Sequence, residues 1–404
     1  MPSNSSIRIL YDHQIFEMQQ YGGVSRYFSE LITRFMQSPE ILPQVAVSIT
    51  NNHFVHQIDR SYLIPGVLYS HSIRRPTPSD PYARISQKIV ETIRNNVNGH
   101  RLHTISIKNI QNSIDALQKG AFDIFHPTYF SPYFLPYLNN KPFVITIYDL
   151  VHEKYPEFFP LHDETIHNRK ILLNKADHII AISENTKRDI IEFYAINPKK
   201  ITTVYLGNEH IGAMCEEDED YSFLPESFLL YVGDRSSYKN FPFTVEAITP
   251  ILLKLPNLHL VCYGGGKFTE SEQFFIEKMG LKDRAIQIGG DDGILHRCYQ
   301  RAIALIYPSL YEGFGIPIIE AFAIGCPVIA SNIPTSKEIA GDAGFFYNPK
   351  DSRTLQEIIF KIINEKNLRE SVTELGFNKV MNYSWNKTAE STKEIYSSVL
   401  MTSE

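Results

Sequence analysis

Short apolar runs alternate along the chain with longer segments in which apolar residues recur every three or four positions. The run at 7–11 predicts a short buried strand, and the apolar positions within 28–36 follow the period of an α-helix. Further runs of the strand type lie at 122–127, 142–151, 176–182, 201–206, 228–233, 258–263, 286–289, 302–307 and 326–331. Repeated strand and helix segments are typical of the α/β class.

The length and composition indicate a globular protein with more than one domain. The chain has 404 residues, which is enough for two domains of about 200 residues that each bury a core. Hydrophobic residues make up 43% of the chain and charged residues 21%. The net charge is −6, whereas proteins that bind duplex nucleic acid usually carry a basic surplus. We therefore expect no nucleic-acid partner.

Several sequence features lead us to expect a cytoplasmic location. No apolar run approaches the 18 residues of a membrane-spanning helix, and the N-terminal segment lacks the apolar core of a signal peptide. The four cysteines lie far apart with no C-x2-C pair, so the sequence indicates neither a zinc site nor a disulfide framework.

The segment 307–332 carries the clearest chemical pattern. Gly313 and Gly315 allow the backbone to approach a ligand, and the helix predicted after them presents unpaired N–H groups at its start. Glu312 and Glu320 are eight residues apart, so both can face the space above this helix end. Because carboxylates accept from sugar hydroxyls and amides donate to phosphate oxygens, a sugar that carries a phosphate suits this hollow. The alternative is an ordinary strand-to-helix turn with two solvated glutamates.

The sequences EGFGIPIIEA at 312–321 and GCPVIAS at 325–331 resemble the E-x7-E signature of the family 4 retaining glycosyltransferases. These enzymes have the GT-B architecture, so the resemblance implies two Rossmann-like α/β domains that face each other across a cleft. It also implies a last helix that crosses back onto the first domain. We therefore predict an acceptor-binding domain, a nucleotide-sugar-binding domain and a crossing helix, with bounds 1–207, 208–383 and 384–404.

The resemblance gives each residue of the signature an expected role. Glu320 would bind the ribose hydroxyls of the donor. Glu312 and the backbone amides of Phe314 and Gly315 would bind the transferred sugar, and Glu312 is also placed to help stabilise the transition state. The helix start at Ile316 would hold the diphosphate.

Two further segments resemble donor-binding parts of the family. Gly22 and Gly23 precede the first predicted helix, where loop amides could meet a diphosphate, although a plain tight turn is the alternative. Arg235 and Lys239 lie four residues apart in a segment similar to V-G-x5-K-(G/N), whose cations hold the donor pyrophosphate in the family. Two surface cations are the alternative there. Ile288 lies at the end of a predicted strand, where family members usually contact the nucleotide base through backbone atoms.

Polar residues follow two predicted strands of the first domain. His126, Asp149 and His152 lie at the C-terminal ends of these strands, which is the edge where ligands gather in open α/β sheets. The second of these segments resembles T-x-H-D-L in the family, except that Tyr148 stands where histidine is common. This departure shifts the expected catalytic and acceptor-side roles to Asp149 and His152.

The implied reaction is transfer of a hexose from a nucleotide diphosphate sugar to a hydroxyl of a glycan or lipid-linked acceptor, in polysaccharide or glycoconjugate biosynthesis. Similarity to bacterial polysaccharide mannosyltransferases favours GDP-mannose, with UDP and dTDP sugars left open. Retention in the family is ascribed to front-face attack guided by the leaving phosphate. We therefore expect neither an enzymic nucleophile nor a metal cofactor. Domain closure would assemble the site and exclude water.

Three other functions fit parts of the pattern. A sugar-nucleotide epimerase of the same architecture would convert the donor with no acceptor. A non-catalytic module would bind a nucleotide sugar without transfer. A sugar phosphorylase would need a longer chain or a pyridoxal lysine, and neither is evident.

The segment 71–120 has a local basic surplus of eight Lys and Arg residues against three acids. Arg84, Lys88 and Arg94 lie beside an apolar stripe, as in a surface helix that contacts anionic lipid. One hypothesis is peripheral contact with the inner face of a membrane or with a lipid-diphosphate acceptor. The alternative is a domain helix with solvated charges.

Overall fold

A computed structural model describes residues 6–64, 68–69, 106–208, 223–235 and 237–403. The basic segment with Arg84, Lys88 and Arg94 lies outside the described residues, so the membrane hypothesis stays a prediction. Within the described ranges, no helix is both long and apolar enough to cross a membrane.

The N-terminal half is built on parallel strands. Its strands are β1 (Ile7–Tyr11), β2 (Ile41–Val45), β3 (Ile49–Thr50), β4 (Leu68–Tyr69), β5 (Ile124–His126), β6 (Val144–Ile147), β7 (His178–Ala181) and β8 (Ile201–Thr203). Three strands pair in the order β2-β1-β5, and three more in the order β6-β7-β8. A parallel bridge between Phe125 and Phe143 connects the two groups, and β3 pairs separately with β4. We call this half of the structure the first sheet unit.

Helices connect these strands. They are α1 (Gln14–Met18), α2 (Gly23–Met36), α3 (106–119), α4 (Val151–Lys154), α5 (Thr165–Lys175) and α6 (Glu184–Tyr194). Every residue of β6 is buried, as expected for a strand of a parallel sheet with both faces covered.

The C-terminal half contains one six-stranded parallel sheet, which we call the second sheet unit. Its strands are β9 (Ser227–Val232), β10 (Leu258–Tyr263), β11 (Ala285–Ile288), β12 (Ala304–Tyr307), β13 (Val328–Ser331) and β14 (Gly344–Tyr347). Their order is β11-β10-β9-β12-β13-β14. The connecting helices are α7 (Phe241–Lys254), α8 (Glu270–Lys278), α9 (Asp292–Arg301), α10 (Ile316–Ile324), α11 (Pro334–Ala340), α12 (Ser352–Asn364) and α13 (Lys366–Val380).

The last helix, α14 (Trp385–Ser403), returns to the first sheet unit and packs against α2. The hydroxyl of Tyr396 lies 2.6 Å from Nδ1 of His126 and 2.9 Å from the hydroxyl of Tyr11. The side chain of Thr388 donates to the carbonyl of Tyr205 at 2.8 Å. The α/β class and the crossing helix are thus confirmed. The domain bounds stay a prediction, because residues 209–222 lie outside the described ranges.

The structure corrects the expectation that His126 is placed for chemistry. Its ring is fully buried, and its Nε2 lies 3.0 Å from the hydroxyl of Thr146. Burial lowers the pKa of His126 to about 3, so the ring is neutral at pH 7. His126 joins the first sheet to α14, and the sequence pattern missed this because the partner, Tyr396, lies 270 residues away.

The Tyr396→Phe substitution tests how strongly α14 is fixed. It removes the hydroxyl that His126 and Tyr11 share, and leaving buried polar groups without a partner costs about 1–3 kcal/mol. We expect a lower urea midpoint for unfolding. The control is Tyr21→Phe, because Tyr21 is exposed and its substitution should change stability by less than about 0.5 kcal/mol. Equal midpoints for the two variants would contradict the role of Tyr396.

Candidate active site

The two sheet units meet where a loop that follows β12 inserts beside the end of β6. The hydroxyl of Tyr311, in this loop, accepts from the backbone N–H of Leu150 at 3.0 Å. It also donates to Oδ2 of Asp189 on α6 at 2.7 Å. The loop is therefore fixed to two elements of the first sheet unit, and the C-terminal edges of both sheets border the same region.

Gly313 makes the closest approach between the two units. A methyl group added to this glycine would overlap the carbonyl oxygen of Tyr148 and lie 3.2 Å from Cβ of Asp149. The side chain of Thr186 donates to the carbonyl of Gly313 at 3.2 Å. Only glycine fits here, because the backbone of the second unit lies directly against that of the first.

Two helix N-termini face each other across this interface. Helix α2 begins at Gly23, and α10 begins at Ile316 after Gly315, whose φ of 105° is in the left-handed region that favours glycine. A methyl group added at Gly23 would lie 3.3 Å from the side chain of Ile316. Among the described residues, no acceptor receives the amides of Gly23, Phe314, Gly315 or Ile316. The structure thus brings together the two predicted phosphate-binding elements, with free N–H groups on both.

Lys239 and Glu312 form an ion pair beside the start of α10. The Nζ of Lys239 lies 2.7 Å from Oε1 of Glu312, and both side chains are largely buried. Burial alone would lower the pKa of Lys239, but the charge of Glu312 outweighs it and holds the pKa above its ordinary value. The side chain of Thr335 donates to the carbonyl of Glu312 at 2.7 Å. The structure therefore brings together two residues that were predicted from separate motifs.

Glu320 lies in the second turn of α10 and is 5% exposed. Its Oε1 lies 3.2 Å from Nη1 of Arg26 on α2, and its Oε2 accepts from the hydroxyl of Tyr299 on α9 at 3.1 Å. Burial raises the pKa of Glu320, and the charge of Arg26 opposes that rise. The sequence pattern did not predict Arg26 or Tyr299 as site residues. Only the position of Arg26, three residues after Gly23, links it to a predicted element of the site.

Arg235 contacts a glutamate and the turn after β10. Its Nε donates to Oε1 of Glu272 at 2.8 Å, and its Nη atoms donate to backbone carbonyls of residues 264–267. The guanidinium therefore organises the turn after β10. Its predicted contact with the donor diphosphate stays a prediction, and this structure directs its donors elsewhere.

Ile288 lies at the end of β11, and Phe314 lies in the loop before α10. The carbonyl of Ile288 accepts from the amide of Gly264 at 3.0 Å, at the C-terminal end of β11. The ring of Phe314 packs edge-on against Tyr383 with centroids 5.6 Å apart, and it also contacts Tyr205. The side chain of Phe314 thus anchors the loop, which leaves its amide as the group available to a ligand.

Asp149 lies at the interface, and His152 follows it on α4. Oδ1 of Asp149 accepts from the amide of Val151 at 3.1 Å. The ring of His152 stacks on Phe159 at 3.7 Å, and its Nε2 lies 3.5 Å from Oδ2 of Asp163. Burial and the charge of a nearby arginine lower the pKa of His152. The structure therefore brings Asp149 next to the Glu312–Gly313 loop, and the expected role of His152 stays a prediction.

Two family models match the chain in succession. One, described as Glycosyltransferase Family 4, matches residues 67–209, and the other, Glycosyl transferases group 1, matches residues 214–379. The chain is a family 4 glycosyltransferase. The parallel sheets and the returning helix are the GT-B fold expected of this family.

Relatives and solved structures agree with this assignment. The glycosyltransferase is 26% identical to O-antigen chain mannosyltransferase B of Escherichia coli, over 65% of this chain and 72% of the relative. It is 29% identical to the O-antigen chain mannosyltransferase RfbU of Salmonella typhimurium, over 56% and 62% of the two chains. The structure of HepE from Anabaena with UDP and glucose matches 98% of this chain and all of HepE, with a TM-score of 0.68 and 16% identity.

The Gly313→Ala substitution tests whether the close approach is needed for function. The added methyl group would hold the two sheet units apart, so we expect at least a tenfold loss of transferase activity with circular dichroism unchanged. Small-angle X-ray scattering should show a larger radius of gyration.

The control for scattering is Gly289→Ala, because a methyl group there would meet only the side chain of Gln287 at 3.8 Å. A Gly313→Ala variant with the wild-type radius and full activity would refute the requirement for glycine.

Proposed function

We propose that this glycosyltransferase transfers mannose from a nucleotide diphosphate sugar, with GDP-mannose as the first candidate, to a hydroxyl of a growing polysaccharide or lipid-linked glycan. We further propose that the anomeric configuration is retained. The names of the two O-antigen relatives support mannose and a polysaccharide acceptor. HepE was solved with UDP and glucose, so UDP sugars remain a specific alternative.

The observation that carries this proposal is the convergence of the two helix starts beside the Lys239–Glu312 pair. Free amides at Gly23 and at 314–316 can donate to phosphate oxygens from both sides of the interface. An ammonium has three N–H donors, and that of Lys239 uses one on Glu312. The others can neutralise the charge that grows on the diphosphate as the glycosyl bond breaks.

The roles proposed for the remaining groups are those that the family resemblance implies. In the proposed complex, Glu312 accepts from hydroxyls of the transferred hexose and Glu320 from those of the ribose. The acceptor hydroxyl approaches from the Asp149 side, on the face of the sugar that the diphosphate leaves. Its oxygen forms the new bond to the anomeric carbon, the bond to the phosphate oxygen breaks, and the proton passes to that phosphate oxygen. Charge stabilisation by fixed dipoles and cations supplies the largest share of catalysis in this scheme.

A ligand screen followed by a transfer assay tests the proposal. GDP, UDP and dTDP, and their sugars, are compared by thermal unfolding, because a ligand at 100 times its Kd stabilises by about 2.7 kcal/mol. The donor that binds is then supplied in labelled form, with and without a polysaccharide-repeat acceptor. Label transfer that requires the acceptor supports the proposal. Conversion of the donor alone indicates an epimerase, and binding without turnover indicates a non-catalytic module.

Substitutions at the ion pair separate binding from chemistry. We expect Lys239→Ala to weaken nucleoside diphosphate binding about 10- to 100-fold, because a hydrogen bond to a charged group contributes roughly 1.5–3 kcal/mol. We expect Glu312→Gln to bind the nucleoside diphosphate normally but to lower kcat about 100-fold. Calorimetry and initial rates measure the two effects.

The Lys239→Ala variant also leaves the Glu312 carboxylate without its cation, so the double variant Lys239→Ala/Glu312→Gln is required. If that double variant regains wild-type affinity, Lys239 does not contact the diphosphate. Lys282→Ala is the matched control, because Lys282 is exposed and pairs only with the nearby Glu277 among the described residues.

A further inference from the structure

The carboxylate of Glu320 is held at both oxygens by side chains from different parts of the fold. Arg26 reaches Oε1 from α2 in the first sheet unit, and the Tyr299 hydroxyl reaches Oε2 from α9 in the second. The two contacts are 3.2 and 3.1 Å long, and the three side chains are largely or fully buried. Rotation of the carboxylate is therefore restricted from two sides.

Each contact leaves Glu320 able to bind a further group. A carboxylate oxygen can accept more than one hydrogen bond, so each oxygen retains acceptor capacity after its first contact. A buried carboxylate without a cation favours its protonated form, which would offer one donor and a weaker acceptor. Arg26 counteracts this because its positive charge favours the ionised form. Glu30 lies 3.8 Å from Nε of Arg26 and helps to fix the guanidinium on α2.

We infer that Arg26 and Tyr299 are positioning residues that hold the Glu320 carboxylate oriented toward the ribose hydroxyls of the donor. This inference rests on the proposed function, in which Glu320 binds ribose. It adds that ribose recognition by the second sheet unit is completed by a residue of the first. Since Arg26 reaches Glu320 across the interface, recognition of the ribose is coupled to the close approach of the two units.

The inference predicts how single substitutions alter discrimination between ribose and deoxyribose. The probes are GDP and 2′,3′-dideoxy-GDP, or the UDP pair if the screen selects uridine, and calorimetry gives both Kd values. For the wild-type chain we expect the ribonucleotide to bind at least about tenfold more tightly, since the dideoxy analogue leaves a buried carboxylate without its hydroxyl partners. We call the Kd of the dideoxy analogue divided by that of the ribonucleotide the ratio. In the Glu320→Gln variant, most of this preference should be lost.

Arg26→Gln should reduce the ratio to less than about threefold, mainly by weakening the ribonucleotide. Arg26→Lys restores a positive charge and should recover part of the ratio. Tyr299→Phe should give an intermediate ratio with unchanged charge. The matched control is Arg353→Gln, because Arg353 is an exposed arginine that forms its salt bridge with Glu357, one turn further along α12.

Each outcome separates this inference from the proposed function. A wild-type ratio near one overturns the ribose role of Glu320 and, with it, the inference. A high ratio that persists in Arg26→Gln and Tyr299→Phe overturns the inference alone. If Arg26→Gln raises the Kd of both probes by the same factor, Arg26 contacts the diphosphate directly. That result also overturns the positioning role. If Arg26→Gln does not fold, Arg26→Lys and Tyr299→Phe still decide the question.

Discussion

The candidate site depends on the direct contact between the backbone at Gly313 and the carbonyl of Tyr148. No side chain separates the two sheet units at this point, since even a methyl group would overlap the oxygen. The contact places the end of β6 against the loop that precedes α10. As a consequence, Asp149 lies beside the Glu312 loop and the start of α10 faces the start of α2. A larger residue at position 313 would disturb all of these relations together.

Glu312 and Glu320 each form an ion pair with a cation, and the two pairs differ in kind. Lys239 and Glu312 both belong to the second sheet unit, whereas Arg26 and Glu320 pair across the interface. Buried ion pairs contribute little net stability because desolvation offsets most of the attraction. Their value here is geometric, since they fix the orientation of two carboxylates in a region where a diphosphate and two sugars would need to be recognised. The first pair persists if the units separate, and the second does not.

Local sequence patterns were sufficient to predict the main elements of the site but not their connections. The glycine turn at 313–315 and the Gly22–Gly23 turn identified both helix starts, because backbone chemistry at a turn is encoded by adjacent residues. Long-range contacts were not predictable in this way. Arg26 and Glu320 are separated by 294 residues, and no local pattern indicates that they meet. Arg235 is a second example. Its guanidinium donates to four backbone carbonyls at 264–267, and no local pattern indicates these contacts.

The polar character of the interface bears on how the enzyme would admit a donor. Glu338 of α11 accepts from the amides of Glu184 and Asn185 at 2.7 and 2.9 Å, and so places a negative charge at the positive end of α6. The Tyr311 hydroxyl and the Arg26–Glu320 pair are polar contacts as well. Water can replace such partners when the units separate, so each contributes only a small net free energy to the closed arrangement. Hydrogen bonds of this kind give the closed arrangement a well-defined geometry. Such a geometry is required if closure is to assemble the site for each donor.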